Sequence, residues 1–323
     1  MKIQYRIHED FIVIVRCFGP DSKVSLPEQI EGIPVKKVAA YAFSPRKGKE
    51  DEDVSVCEWT DGSLFRGSEK LLAGEAVEEV VFPDTAEEIG NYIFYGCRKL
   101  KRLEFSDSLI RIGSGAFTGC GNLNRLKVRL KRGEKTCVKE ILGDLWQRID
   151  VIFETGAGTA DAQEVKLVFP EHYEEAVENT PARILFTQHH GVGNNYRQCF
   201  YSREMDYRKY DSLFPLAAAQ DKPEVLEDMI FCRLGTPYRL APEHEKMYES
   251  YVEMHLPEIA RRLVERDRPD VLECISGRGL WSREGLESAV DAAAKNDKQE
   301  ILSYLMNEKH LLFPENRRKR FEL

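Results

Sequence analysis

Between residues 77 and 123 the apolar positions fall into one pattern, written twice. Val80-Val81-Phe82-Pro83, Ile89-Gly90, Ile93-Phe94-Tyr95-Gly96-Cys97 and Leu100 return as Leu103-Glu104-Phe105-Ser106, Ile112-Gly113, Ala116-Phe117-Thr118-Gly119-Cys120 and Leu123. The offset is 23 residues at Phe82/Phe105, Gly90/Gly113, Phe94/Phe117 and Cys97/Cys120. A fixed period of this size marks a solenoid. One such coil cannot bury its own apolar face, so the pattern predicts coils stacked on one another. An earlier variant coil supplies Leu26, Val38 and Phe43, with Tyr41-Ala42-Phe43 matching the later aromatic turn. The predicted ladder core is therefore Leu26, Val38, Phe43, Phe82, Ile89, Phe94, Cys97, Leu100, Leu103, Phe105, Ile112, Phe117, Cys120 and Leu123.

Elsewhere the period changes. Lys2 to Ile7 alternates and Phe11 to Val15 is rich in β-formers, which predicts a hairpin capping the first coil. From Pro45 to Ala76 the repeat is interrupted; the charge run Arg46 to Asp53 reads as a solvated loop, and Val54, Val56, Trp59, Leu64 and Phe65 read as packing on the solenoid. After Leu123 the pattern decays. Leu126, Val128 and Leu130 predict one more strand, and Ile141, Leu142, Leu145, Trp146 and Ile149 fall at helical intervals over Val138 to Ile149. Thr155 to Ala160 is small and flexible. Strands are expected at Val165 to Phe169 and Ile184 to Thr187, with a short helix over Glu171 to Glu178. The remainder reads as helical, with polar turns around Asp221, Asp267 and Asp297; Pro223 and Pro269 suit the first turn of the helices that follow.

These elements predict an α+β protein in three parts: a capped solenoid over 1–155 with an insert at 45–76, a mixed junction over 156–210, and a helical repeat domain over 211–323. The recurring Ile-Gly, Ala-Phe, Gly-Cys, Leu and Phe-Pro positions resemble the BspA-type leucine-rich repeats of bacteria, over roughly residues 10 to 130. The Ala-Ala, polar turn and Glu-Ile-Leu pattern of the last third resembles ankyrin repeats, without their Thr-Pro-Leu-His opening. Both resemblances imply recognition of a protein or peptide partner rather than catalysis, and neither implies a cofactor.

The chain carries 47 Lys plus Arg against 55 Asp plus Glu, a net charge of −8. That acidic balance repels phosphate backbones over most of the surface and disfavours nucleic acid. Arg317-Arg318-Lys319-Arg320 is the one basic tetrad and reads as a solvated tail, with nucleic-acid contact as an alternative. No apolar leader follows Met1 and no run is long enough to span a membrane, so a cytosolic location is expected. The eight cysteines form no CxxC pair; Cys97 and Cys120 read as stacked small apolar residues.

The densest polar cluster runs from Gln188 to Arg203. Its His189, His190, Asn195, Tyr196, Arg197, Tyr201 and Arg203 are the candidate binding residues, since Tyr and Arg supply contact area with a polar handle. Adjacent histidines on a strand point to opposite faces and cannot share one metal. A hydrolase or transferase built from His189, His190 and Cys199 remains an alternative; it requires all three around one point.

Overall fold

The computed structural model describes residues 1–48, 53–59, 70–159, 162–179 and 184–314, with side chains omitted at 174, 176–179 and 184–189. The chain divides into two compact units, Met1–Asp221 and Lys222–Leu323.

The first unit is a β-solenoid of about five turns. Its strands are β1 (Lys2–His8), β2 (Phe11–Phe18), β3 (Lys23–Ser25), β4 (Gln29–Ile30), β5 (Ile33–Val38), β6 (Ser55–Glu58), β7 (Glu79–Val81), β8 (Glu88–Ile89), β9 (Arg102–Ser106), β10 (Arg111–Ile112), β11 (Arg125–Leu130), β12 (Ile149–Thr155) and β13 (Gln163–Phe169). One sheet runs β13-β12-β11-β9-β7-β3; the facing sheet runs β10-β8-β5-β2-β1-β6, with β4 attached to β5. The coils of β3/β5, β7/β8 and β9/β10 each give one strand to each sheet. Register repeats the sequence period: Glu79 lies opposite Arg102, Leu103 opposite Leu126 and Glu88 opposite Arg111, all in parallel.

Alternation explains which side chains enter the core, since neighbours on a strand point to opposite faces. Leu103 and Phe105 are buried while Arg102 between coils is exposed; Leu126, Val128 and Leu130 repeat the pattern. At the turn, Phe43, Phe94 and Phe117 stack coil on coil with centroids 5.4 and 5.9 Å apart. The Cys97 thiol donates to the Phe43 carbonyl at 3.1 Å, and the Cys120 thiol to the Phe94 carbonyl at 3.3 Å. Burial pushes the Cys97 thiol up to about 12, so it stays a donor. Of the ladder positions, Ile112 alone is half-buried, because β10 is the last strand of its sheet.

Both ends of the stack carry antiparallel strands. The β1–β2 hairpin lays β2 in parallel on β5, and β6 from the insert pairs with β1, which brings Val54 against Val13 and Val15. At the far end β13 pairs antiparallel with β12 along seven positions, from Ile149/Phe169 to Thr155/Gln163. The solenoid unit therefore continues past the expected boundary at 155/156. Two other expectations differ. The helix α1 covers only Val138–Gly143, and Ile149 opens β12 instead. Tyr173–Asn179 is a strand, β14, paired with β15 (Ile184–His190), where a helix was expected. Leu64 and Phe65 lie outside the described residues.

Four short elements complete this unit: α2 (Gly193–Arg197), the hairpin of β16 (Phe200–Tyr201) and β17 (Glu204–Met205), α3 (Tyr207–Ser212) and α4 (Phe214–Gln220).

The second unit is helical: α5 (Pro223–Gly235), α6 (Pro242–Glu265), α7 (Pro269–Gly277), α8 (Arg283–Lys295) and α9 (Gln299–Leu312). Pro223, Pro242 and Pro269 each open a helix, where a missing amide hydrogen breaks no helical bond. Asp267 and Asp297 follow the ends of α6 and α8 in the left-handed region, and the next amides close matching bonds, Arg268 to Leu263 and Lys298 to Ala293, both 3.0 Å. Asp221, the third predicted turn, is extended instead. The unit is a stack of helices; ankyrin repeats as such are not established by it.

Candidate functional site

The polar cluster of residues 188–203 does not form one surface. Tyr196 and Arg197 face inward from α2 and are buried, contrary to the expected exposed docking pair. Arg197 donates to five main-chain carbonyls: Leu142 at 3.0 Å, Leu145 at 3.1 Å, Gln147 at 2.8 Å, Pro170 at 2.6 Å and Gly193 at 3.0 Å. Desolvation pulls its pKa down to about 10, which leaves it charged at neutral pH. A guanidinium with its donors spread over a plane satisfies this carbonyl ring as no other side chain does. Gly193 belongs to the same device, since a Cβ there would stand 2.2 Å from the Pro170 carbonyl. Tyr196 packs edge-on to Tyr210 at 4.8 Å, and Tyr210 in turn bonds both the amide and the carbonyl of Val168 in β13.

The catalytic alternative loses its components to different places. Cys199 is buried, its thiol directed to the Asn195 carbonyl and pushed up to about 12 by desolvation. His190 lies on β15, its Nε2 3.2 Å from Glu175 Oε2 and its ring stacked on Tyr173 at 4.4 Å. His189 is also on β15, and its side chain lies outside what is described. Asn195 is exposed on α2. Among the described residues no group of His, Cys, Asp and Glu has a metal-holding arrangement. The tetrad Arg317–Arg320 lies outside the described residues.

Tyr201 and Arg203 sit at the tip of the β16–β17 hairpin. Tyr201 is 80% exposed, whereas Arg203 pairs with Glu140 at 2.6 Å and donates to the Ile110 carbonyl at 3.2 Å. Arg203 thus ties the hairpin to the solenoid's last coils and leaves Tyr201 free of them.

Above the Arg197 cage lies a groove of about 470 Å³, lined by Gly143, Asp144, Leu145, Trp146, His172 and Tyr173. The His172 amide donates to the Trp146 carbonyl at 2.9 Å, which joins the two walls. Trp146 is 58% exposed and Tyr173 56%. Asp144, just past the end of α1, donates its amide to the Ile141 carbonyl, but its carboxylate has no hydrogen bond or ion pair among the described residues, and partial desolvation pushes its pKa up. The sequence reading placed Trp146 inside an amphipathic helix and Tyr173 in another. Gly143-Asp144, a common helix-stopping pair, was the available signal that Trp146 falls beyond the helix.

The solenoid faces, by contrast, are covered by ion pairs between consecutive coils. Lys101 meets Glu78 at 2.9 Å and Arg111 meets Glu88 at 2.8 Å, each across 23 residues. Arg129 reaches back over two coils, to Glu104 and to Asp84, the latter at 2.8 Å.

Stacked 23-residue coils with a parallel strand in each of two sheets define a leucine-rich-repeat-like solenoid. Residues 68–138 match the family described as BspA type leucine rich repeat region. Two solved structures resemble part of the chain. One is a leucine rich cell surface protein of Faecalibacterium prausnitzii, 20% identical over 40% of this chain and 31% of its own, with a TM-score of 0.27. The other is a leucine rich repeat protein of T. pallidum, 23% identical over 39% of this chain and 68% of its own, with a TM-score of 0.24. The match thus spans about a third of the F. prausnitzii protein. Among curated proteins none matches the chain. The expected cytosolic location is corrected by this comparison, since the F. prausnitzii protein is described as a cell surface protein. No helix among the described residues is long and apolar enough to cross a membrane.

Proposed function

We propose that this chain is a non-catalytic recognition protein that captures a protein or peptide partner at the far end of its solenoid. The observation that carries this reading is the groove holding Trp146 and Tyr173: two large aromatic side chains, more than half exposed, on walls fixed from beneath by Arg197. Exposed aromatic residues on a rigid backbone lose little conformational freedom on binding and dominate interface energetics. Leucine-rich repeat proteins generally bind proteins or act at surfaces, in keeping with this reading. The residues that catalysis would need support it as well, since Cys199 is buried and His190 is held by Glu175. The helical unit, read as an ankyrin-like stack, would add a second surface of the same kind.

The test is capture of partners from the source cell by the intact chain, compared with a Trp146→Ala/Tyr173→Ala variant of unchanged melting temperature. A partner held by the first and lost from the second supports the groove. If Lys127→Glu on the sheet face abolishes capture while the groove variant retains it, binding belongs to the charged ladder and the groove reading fails.

A further inference from the structure

The groove has one feature that plain apolar docking leaves without purpose. Asp144 lines it beside Trp146 and Tyr173, and among the described residues nothing donates to its carboxylate. Five solenoid carboxylates differ: Glu78, Glu79, Glu88 and Glu104 each meet a Lys or Arg of the next coil, and Asp84 meets Arg129 two coils on. The buried cation Arg197 directs its donors to carbonyls, those of Leu142 and Leu145 among them, and not to Asp144. Glu175, by the same groove wall, is occupied by His190.

Resting on the recognition reading above, we propose that the groove takes a basic side chain, lysine or arginine, from an extended segment of the partner. The ammonium or guanidinium would lie between the faces of Trp146 and Tyr173, with Asp144 as its counter-ion. The ring faces carry negative quadrupole potential and attract a cation within about 6 Å of the centroid. The stacking of Tyr173 on His190 fixes one wall before the partner arrives. An unpaired carboxylate beside two exposed rings complements a cation better than it does a neutral or acidic group, and the net charge of −8 draws basic segments toward the chain.

The full chain is titrated with pentalysine and pentaarginine, with pentaglutamate and maltopentaose as controls, by calorimetry and by tryptophan emission. The other two tryptophans are Trp59, which is exposed, and Trp281, which is buried, so only emission that changes in the wild type and not in Trp146→Phe assigns the response to Trp146. The expected result is saturable binding of the basic peptides alone, weakened about tenfold by Asp144→Asn and about fivefold by Tyr173→Ala. Melting temperatures should stay unchanged, because both residues are on the surface. Binding that survives both substitutions is diffuse attraction to an acidic protein and overturns the proposal, as does equal binding of maltopentaose or pentaglutamate. Should the groove variants lose a captured partner while no basic peptide binds, the cation assignment falls and the recognition reading stands.

Discussion

Arg197 is a buried cation that meets no carboxylate among the described residues; its charge is balanced by the carbonyl dipoles of residues 142, 145, 147, 170 and 193. Such a side chain fastens three stretches of backbone that have no direct ladder to share. Replacing it strands several buried acceptors at once, each costing roughly 1–3 kcal/mol when left without a donor. Arg197→Met should therefore lower unfolding free energy by about 3–5 kcal/mol, read from the urea midpoint. Arg197→Lys should recover only part, since an ammonium has fewer donors and no fork geometry. An equal loss in both variants would mean that an ammonium restores none of the cage and that the guanidinium's fork alone decides the outcome. Asp84 shows the opposite balance. Its burial works to raise its pKa, but hydrogen bonds from Lys131 and Arg129 outweigh that, and the net shift is downward. A carboxylate held lower in the folded state stabilises the fold above its unfolded pKa, and that stability fades as pH falls through the folded value. The chain should lose stability in acid below pH about 4. Asp84→Asn should flatten this acid limb and cost about 1 kcal/mol at pH 7, both measurable by thermal melts across pH.

The coil is the element that the sequence spells out, because every turn must present the same apolar positions to its neighbours. Phe94 and Phe117 meet face to face, and Cys97 and Cys120 are buried one above the other. Gly113 shows how tightly this is enforced. A Cβ there would stand 2.3 Å from the Asn91 amide nitrogen, so the coils touch backbone to backbone at that corner. Gly113→Ala should destabilise by about 1–3 kcal/mol, the range for overpacking, while Gly121→Ala, with open space around it, should stay within about 0.5 kcal/mol. Comparing their melting temperatures checks the claim directly. The junction was less legible for a physical reason. β13 and the Tyr210 anchor act through antiparallel pairing and through side chains 42 residues from their targets, and such links leave no period in the sequence. Arg197 looked like an interface residue because composition cannot tell a guanidinium facing solvent from one facing carbonyls. Trp146 was hidden by the reverse error, as its apolar character suited a helix face, and Tyr173 by the short helix expected over Glu171 to Glu178, where β14 forms instead.

At the scale of the molecule, a stack of parallel strands has two open ends, and open strand edges invite pairing with other chains. The first unit handles its ends differently. At the start, β2 covers β5 and contributes Ile12, Ile14, Val15 and Cys17 to the core, while β1 and β6 extend the sheet outward. At the finish, β13 closes one sheet, and on the other Arg203 of the β16–β17 hairpin bonds the Ile110 carbonyl beside β10. Removing residues 1–18 would thus leave the β2-facing edge of β5 unpaired and open the side of the stack that holds Val35 and Val38. The shortened chain should elute as aggregates in size-exclusion chromatography and bind thioflavin T, where the intact chain does neither. Arg203→Ala removes the bond to Ile110 and the ion pair with Glu140 at the opposite end without exposing a strand of the core; it should lower the melting temperature slightly and leave the elution volume unchanged. If the shortened chain instead stays monomeric with a cooperative melt, the hairpin is an accessory rather than the cap on which the coils depend.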